Sequence, residues 1–467
     1  VDGAEPSDEN DRLKIALARM LEATGNEVGA RQLVESVLER DAGQVDALKM
    51  TAKWLIDGDQ ADDAINTLRR ALDQEPEDAE AMTLMARAHD RNGEKQLAQD
   101  LLALAAEASD YAPAETLRFA SLLFQQERYS SAEDVLVNSL RNSPQNVQVL
   151  TLLGRVYLAN EDWSRAQQVE NTLRSLDGPN AQLSADDLRL QLLARRQGSE
   201  SGIAFLEELA ENSDDIAPKI ALIRATLASE DNKEEALGMA QELVAEEPGN
   251  IQAMLVLGST NFALQNFEEA EAAFRKVLEI EDNPIAAMQL VRSVGAQGRS
   301  DEVAAIIDEM LPRMPDSSDL LWAKASVLER QQDVDGAIEI YEELYAQDSN
   351  SPVIANNLAS LLATYRDDEE SLERAFAVGR RLRETTVPPF QDTYGWLLYR
   401  RGEFAEALTY LEPAANALSN DPIVIYHLGK TYAALGRDED ALRAFETALQ
   451  IAGDADPRQQ FADARAE

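Results

Sequence analysis

The sequence predicts an all-α fold in which short helices stack in pairs along the chain. Its 467 residues are dominated by helix formers, and 45% of them are hydrophobic, which is enough for an extensive core. Small residues recur at a fixed interval, which is the mark of a repeat architecture rather than of separate globular domains. No stretch reaches the roughly 18 uninterrupted apolar residues that a membrane-spanning helix needs.

A small residue returns every 34 positions over long parts of the chain. The series is Ala30, Ala64, Ala98, Ala132 and Ala166, then, after a shift in phase, Ala236, Ala270 and Ala304, followed by Ala337, Ala407 and Ala441. A second small residue lies twelve positions before many of these, at Ala18, Ala52, Ala86, Ala120, Gly154, Gly258, Ala325, Gly395 and Gly429. We expect both positions to be sites where neighbouring helices approach closely.

Each unit is interpreted as a first helix, a short turn, a second helix and a helix-breaking residue that ends the unit. The turns are expected near Gly25, Gly93, Gly402 and Gly436, and the breakers at Pro76, Pro144 and Pro248. One such pair cannot bury its apolar face alone, so successive pairs must stack into a continuous core.

This pattern resembles the tetratricopeptide repeat, a 34-residue unit with small residues at fixed positions. The resemblance implies a right-handed α-solenoid, a superhelix, of about 13 repeats. On its phasing the repeats begin near residues 11, 45, 79, 113, 147, 181, 217, 251, 285, 318, 352, 388 and 422. The chain then divides into a polar tether (1–10), repeats 1 to 5 (11–180), a degenerate repeat that bends the stack (181–216), repeats 7 to 13 (217–455) and a capping helix (456–467).

Two departures from the repeat pattern predict local differences in structure. Arg224 and Arg292 fall at the first small position of their units, where a bulky cation is expected to loosen the contact between helices. Two residues are inserted between Ala337 and Ala407, which predicts an elongated second helix at about 367–386.

Composition excludes several functional classes. The chain has 86 acidic and 43 basic residues, a net charge of −43, which disfavours binding to nucleic acid. It has no cysteine and only His89 and His427, both interpreted as structural, so a zinc site of Cys and His is excluded. Glycine-rich nucleotide loops are absent. The sequence therefore predicts a protein that is not an enzyme, with no catalytic residues, cofactor or metal.

In the tetratricopeptide family the first helix of each repeat lines the concave surface. The residues at the inward positions of these helices form two candidate binding strips. The basic strip consists of Arg12, Arg19, Lys49, Lys53, Arg87, Arg91 and Arg155. Cations gathered on one face of an acidic protein favour an acidic partner, such as an acidic tail or an anionic polysaccharide. The alternative is pairing within the chain, with Asp46, Asp57, Glu80 and Asp90.

The aromatic strip consists of Trp322, Asn356, Asp392, Trp396, Tyr399 and Tyr426. Exposed aromatic rings beside amides and a carboxylate would suit stacking of a peptide or a sugar. The alternative is ordinary packing in the groove.

The C-terminal third is also similar to the closing repeats of bacterial tetratricopeptide lipoproteins found with exopolysaccharide assembly and export systems. The motifs concerned are Asn356–Asn357, Asp392 to Trp396 and Tyr426–His427. The resemblance implies a periplasmic scaffold, tied to the membrane only through a removed N-terminal lipid anchor, that binds envelope or secretion proteins. Two alternatives stay open: a module that holds a polysaccharide in transit, and a cytoplasmic adaptor.

Overall fold

The computed structural model describes residues 7–229 and 232–453 together with residues 458, 460 and 464. Within these ranges the protein is helical and contains no β-strand, so the predicted all-α class is confirmed. In the same ranges, twenty-six α-helices follow one another as thirteen pairs. None of the described helices is both long enough and apolar enough to cross a bilayer. The chain forms two compact units, residues 1–111 with 341–467, and residues 112–340.

The first unit contains the N-terminal three pairs and the C-terminal three pairs. Its helices are α1 (Asp8–Ala23), α2 (Glu27–Arg40), α3 (Val45–Asp57), α4 (Ala61–Gln74), α5 (Ala79–Arg91), α6 (Lys95–Ala108), α21 (Pro352–Tyr365), α22 (Glu369–Gly379), α23 (Pro388–Arg400), α24 (Phe404–Ala417), α25 (Pro422–Ala434) and α26 (Asp438–Ala452). Residues from Tyr341 onward of α20 (Val334–Gln347) also belong to this unit.

The second unit contains the middle of the chain. Its helices are α7 (Pro113–Gln125), α8 (Tyr129–Asn142), α9 (Val147–Ala159), α10 (Trp163–Arg174), α11 (Pro179–Gln197), α12 (Ser199–Glu211), α13 (Ile216–Leu227), α14 (Lys233–Glu246), α15 (Ile251–Ala263), α16 (Phe267–Ile280), α17 (Pro284–Ala296), α18 (Ser300–Met310) and α19 (Ser318–Arg330), with the start of α20.

Local sequence explains where the helices begin. Asp, Asn and Ser side chains accept a hydrogen bond from the first turn of many first helices, which satisfies a backbone N–H that the helix itself leaves unpaired. These caps are Asp78, Asn146, Asn250, Asn283, Ser317, Ser351 and Asp421. The first helices of eleven of the thirteen pairs begin within one residue of the predicted repeat starts.

Most of the described turns inside a pair contain a residue in the left-handed conformation, whereas the turn between α21 and α22 does not. Gly25, Gly93, Gly402 and Gly436 have positive φ, as predicted. Other pairs use a residue with a side chain at the same place, and Asp59 is one of these, with φ of 58°. Asp tolerates this conformation better than most residues.

The small residues are packing sites. Ala64, Ala270 and Ala407 are fully buried. A Cβ on Gly258 would lie 2.5 Å from the Phe274 ring, and one on Gly429 would lie 2.7 Å from the Phe445 ring. In these two pairs the first helix therefore packs directly on an aromatic side chain of the second.

The prediction for the two arginines is wrong. The helices α13 and α17 are rotated by about one residue relative to the predicted phase, so Ile223 and Val291 fill the buried position and both arginines are exposed. Likewise Val303 is buried where Ala304 was expected. In the pair α13–α14 the buried residues Ile223 and Ala236 are therefore one position further apart than the usual twelve, whereas in α17–α18 both helices shift together and Val291 and Val303 keep the twelve-residue spacing.

The insertion before Ala407 does not lengthen a helix. The helix α22 ends at Gly379, and a 3₁₀ turn, Arg380–Leu382, follows it. The predicted degenerate repeat (181–216) is a helical pair whose first helix, α11, is long, with 19 residues.

At the N-terminus, helix α1 begins at Asp8, inside the predicted tether 1–10, and Ser7 caps it. Residues 1–6 lie outside the described residues, as does most of the predicted capping helix 456–467.

Candidate functional site

Most cations of the basic strip are paired within the chain. Arg19 lies 2.9 Å from Asp46. Lys53 lies 3.1 Å from Glu22. Each of these pairs joins helix α1 to α3. In the same way Arg87 of α5 lies 3.2 Å from Asp57 of α3, so internal pairing, the alternative interpretation, describes this part of the strip.

Lys49 is the most enclosed of the paired residues. Its ammonium group lies 2.9 Å from Asp78, 2.7 Å from Glu80 and 3.3 Å from Asp46. Burial opposes the charge, but the hydrogen bonds to Asp78 and Glu80 outweigh it, and the pKa of Lys49 is raised. Because Asp78 also caps α5, this cluster fastens α3 to α5.

Two further cations of the basic strip, Arg12 and Arg155, are exposed. Arg12 is exposed and forms no ion pair with any described residue. Arg155, in the second unit, is exposed and lies 4.0 Å from Asp187. The binding role of the basic strip stays a prediction. Among its described cations, only Arg12 and Arg155 are both exposed and free of a close ion pair.

Arg91 contacts the C-terminal repeats of its unit instead of solvent. Its guanidinium donates to the Asp59 carboxylate at 2.9 Å and to the Tyr345 hydroxyl at 3.0 Å. It also donates to Ser349 at 2.6 Å and to Asn350 at 3.1 Å. The side chain is 4% exposed, so it is part of an internal contact between repeats that are far apart in the sequence.

Asp59 lies at the centre of this contact. Arg381 and Arg374 each donate to its carboxylate at 2.9 Å, and the Tyr345 hydroxyl donates at 2.7 Å. We call Asp59, Arg91, Tyr345, Arg374 and Arg381 the arginine cluster. Burial raises the pKa of Tyr345 above its ordinary value, so its hydroxyl stays protonated and keeps donating to Asp59.

A cavity of about 490 Å³ opens beside the arginine cluster. Tyr345 and Arg374 form part of its wall, together with Ser349 and Asn350. Arg374 is the member of the cluster that reaches solvent, with 33% of its side chain exposed. The sequence analysis missed Asp59, Tyr345, Arg374 and Arg381, since the 34-residue period carries no signal for contacts over hundreds of residues.

The aromatic strip is largely buried, which corrects the expectation of exposed rings. Trp396 is 7% exposed and Tyr426 is 5% exposed. The Trp396 indole N–H donates to the carbonyl of Ala363 at 3.2 Å. Half-buried Tyr399 stacks on Trp396 with 4.5 Å between ring centroids. Packing in the groove, the alternative interpretation, describes these rings, while Trp322 lies half-buried in the second unit.

Asp392 of this strip pairs with a histidine. His427 Nδ1 lies 3.0 Å from the Asp392 carboxylate, and the imidazole stacks on Trp396 at 4.1 Å. His427 is 1% exposed, which agrees with its structural interpretation. Its Nε2 and the Oδ1 of Asn356 are buried without a hydrogen-bond partner among the described residues.

The second unit contains an open apolar groove, which lies along the first helix of each of three successive pairs. It has a volume of about 550 Å³ and is formed by α13, α15 and the start of α17. Its apolar wall consists of Ala217, Ile220, Ala221, Ile251, Leu255 and Ile285, and its polar wall of Arg224, Gln252, Glu281 and Asn283. Ile285 is 60% exposed. Arg224 forms no ion pair with the described residues.

Comparisons with protein families identify repeats in most of the chain. Two family models, both described as tetratricopeptide repeat, match residues 123–185 and 227–294, and residues 51–113, 288–352 and 395–457. Together they span more than half of the sequence. A comparison with curated proteins finds no match.

Comparisons with solved structures find similar chains at low identity. A chain in the structure of Naa15/Naa10 bound to HypK-THB is 13% identical, with 98% of this chain and 96% of that chain covered and a TM-score of 0.33. A chain of the APC/C hetero-tetramer Cut9-Hcn1 is 14% identical, with 98% and 90% covered and a TM-score of 0.38. TTC0263, a thermophilic TPR protein in Thermus thermophilus, is 24% identical, with 40% and 100% covered and a TM-score of 0.31.

Proposed function

The chain belongs to the tetratricopeptide repeat family, and on that premise we propose that it is a non-enzymatic scaffold that binds other proteins. The observation that carries the proposal is the open apolar groove. Ile285 exposes 60% of its surface there, beside half-buried Ile251 and Leu255. An exposed apolar surface rimmed by polar groups is typical of a protein-binding site.

The groove favours a partner segment with apolar side chains and a nearby carboxylate. Apolar contact with Ile251, Leu255 and Ile285 would supply binding energy, at about 25 cal/mol for each Å² of apolar surface removed from water. Arg224, exposed and without a described ion-pair partner, would orient the carboxylate. The basic and aromatic strips offer a partner less accessible surface, because their side chains are mostly paired within the chain or buried.

The finer assignment to the bacterial envelope rests on the motifs around Asn356, Asp392 and Tyr426 alone. On that resemblance we propose a periplasmic scaffold that supports exopolysaccharide assembly or secretion. Direct polysaccharide binding is less favoured, because the burial of Trp396 and Tyr426 leaves little ring surface on which a sugar could stack. Fractionation of cells that express the full-length gene tests the location, and recovery in the cytoplasm would contradict it.

Groove variants test the scaffold function. Ile285→Asp places a charge in the groove, whereas Leu183→Asp changes a residue of the same unit that is 70% exposed and outside the groove. We expect proteins that co-purify with the wild type to be lost with Ile285→Asp and retained with Leu183→Asp. Circular dichroism on both variants checks that the fold is kept. Retention of every partner by folded Ile285→Asp would show that the groove is not the binding surface.

A further inference from the structure

The arginine cluster has the composition of a binding site for an anion. Three guanidinium groups, from Arg91, Arg374 and Arg381, surround the one carboxylate of Asp59. Glu342 is a second carboxylate at the cluster, and Arg374 holds it with two hydrogen bonds of 3.1 and 2.8 Å. The Asp90 carboxylate also acts on Arg381, but Asp59 alone pairs with all three guanidinium groups, so the recognition of a carboxylate is concentrated on this one residue.

The parts of the cluster come from repeats that the chain brings together from a distance. Asp59 stands at the turn between α3 and α4, and its hydrogen-bond partner Arg381 lies 322 positions later. Arg374 and Arg381 follow α21, on α22 and on the 3₁₀ turn after it. Arg380 adds a second link, donating to Asp62 at 2.8 Å. The N-terminal repeats therefore dock on the C-terminal repeats through an acidic residue that enters an arginine pocket.

We propose that Tyr345, Arg374 and Arg381 form a carboxylate-binding site on the C-terminal repeats, that Asp59 is its built-in ligand, and that an acidic segment of a protein partner displaces Asp59. This rests on the proposed scaffold function for the existence of a partner. The geometry is that of ligand recognition: Asp59 receives 2.9 Å bonds from two guanidinium groups and a 2.7 Å bond from a hydroxyl. Planar guanidinium groups are well suited to a carboxylate.

Two features of the site make an exchange of ligands feasible. Arg374 and Tyr345 line the 490 Å³ cavity, which connects the cluster to solvent. The carboxylates of Asp57, Glu342 and Asp348 share its wall, so a carboxylate that enters must be held by Arg374 against their repulsion. Asp59 is itself the turn residue, and its φ of 58° is a conformation that glycine adopts without strain. Removal of its side chain by Asp59→Gly therefore empties the site without straining the turn.

Chemical rescue tests the binding site. The melting temperature of Asp59→Gly is measured in sodium acetate and in sodium chloride of equal ionic strength and pH. We expect the variant to melt below the wild type and acetate to raise its melting temperature progressively, because a ligand that binds only the folded state stabilises it. The wild type should not respond, since Asp59 fills its site. Asp59→Gly combined with Arg374→Gln should lose the response.

An equal response of wild type and Asp59→Gly, or no response of Asp59→Gly, would overturn the carboxylate site. The scaffold function is judged separately by Ile285→Asp, so that failure of the rescue with loss of partners in Ile285→Asp rejects only this inference.

Displacement is tested on a chain that retains Asp59, which covers the case in which Asp59→Gly does not fold. The protein has no cysteine, so Asp63→Cys on α4 and Glu373→Cys on α22, both exposed, can carry a fluorescent donor and acceptor. We expect energy transfer to fall when a hexaglutamate peptide is added and to stay constant with hexaserine. A control pair, Glu373→Cys with Glu406→Cys, should not change. Constant transfer in the first pair at saturating hexaglutamate would rule out displacement.

Discussion

Gly93 abuts the backbone of Arg380. A Cβ on residue 93 would lie 2.5 Å from the Arg380 carbonyl oxygen, and its φ is +76°. The turn after α5 therefore fits against the C-terminal repeats only because it has no side chain. The docking of these repeats depends on this close approach as well as on the arginine cluster, and the two can be tested independently.

Gly93→Ala should destabilise the protein more than Gly402→Ala. Both glycines have positive φ, but nothing lies within 4 Å of a Cβ on residue 402. Each change carries the conformational cost of about 1–2 kcal/mol for an L-residue in this region, and only Gly93→Ala adds the steric conflict, which we expect to contribute a further 1–3 kcal/mol or so. Urea unfolding of the two variants measures the difference, and equal unfolding free energies would contradict the close contact.

The repeat architecture was predictable because its signal is local and periodic. Ala64 and Ala270 mark buried positions that the sequence alone identifies, and the turn glycines follow from their spacing. The pair of Asp392 and His427 was also within reach, since the two residues lie 35 positions apart on successive first helices. Residues one repeat apart on equivalent helices commonly face each other in a stack.

The arginine cluster was not predictable in this way. Asp59 and Arg381 are 322 positions apart, and a period that encodes contacts between neighbouring repeats says nothing about distant ones. The exposure of the two strips was also misjudged: the sequence places Lys49 and Trp396 on inward positions, but the number of neighbours that cover an inward position depends on how closely successive helices pack.

Lys49→Glu should destabilise the first unit, and its effect should not be limited to weaker binding of an acidic partner. The change would place a carboxylate beside Asp78 and Glu80, where an ammonium now lies 2.9 and 2.7 Å away. Breaking an ion pair of this kind by removing one partner costs about 3–5 kcal/mol where it is buried. The urea midpoint measures the loss. Arg12→Glu, at an exposed position, serves as the control, with an expected change within about 0.5 kcal/mol; similar midpoints for both variants would show that the Lys49 cluster is not structural.

Glu271 should give the second unit a stability that depends on pH in acid. Burial acts to raise the pKa of Glu271, but hydrogen bonds from Arg299, Arg275 and Gln297 outweigh it and lower the pKa below the ordinary value of 4.5. The unfolded chain therefore takes up this proton first. The stabilisation is fully present above the unfolded pKa and is lost as the pH falls through the folded pKa.

Glu271→Gln should remove that part of the acid dependence. Urea unfolding of the variant and the wild type is measured at pH 7 and at several pH values below 4.5. The difference between their free energies of unfolding should narrow as the pH falls. Glu268→Gln, at an exposed position on the same helix, is the matched control and should leave the profile unchanged. A constant gap at all pH values would show that the charge of Glu271 contributes nothing.

Trp396→Ala should act as a core mutation. The indole is 7% exposed, stacks between His427 and Tyr399, and donates to the Ala363 carbonyl at 3.2 Å. Replacing a buried Trp with Ala typically costs about 3–5 kcal/mol, so we expect a large fall in the urea midpoint together with any loss of binding. Tyr365→Ala, where the ring is 41% exposed, should cost far less. If Trp396→Ala instead kept wild-type stability and lost only a ligand, the ring would be a recognition surface, and its role in packing the last repeats would have to be abandoned.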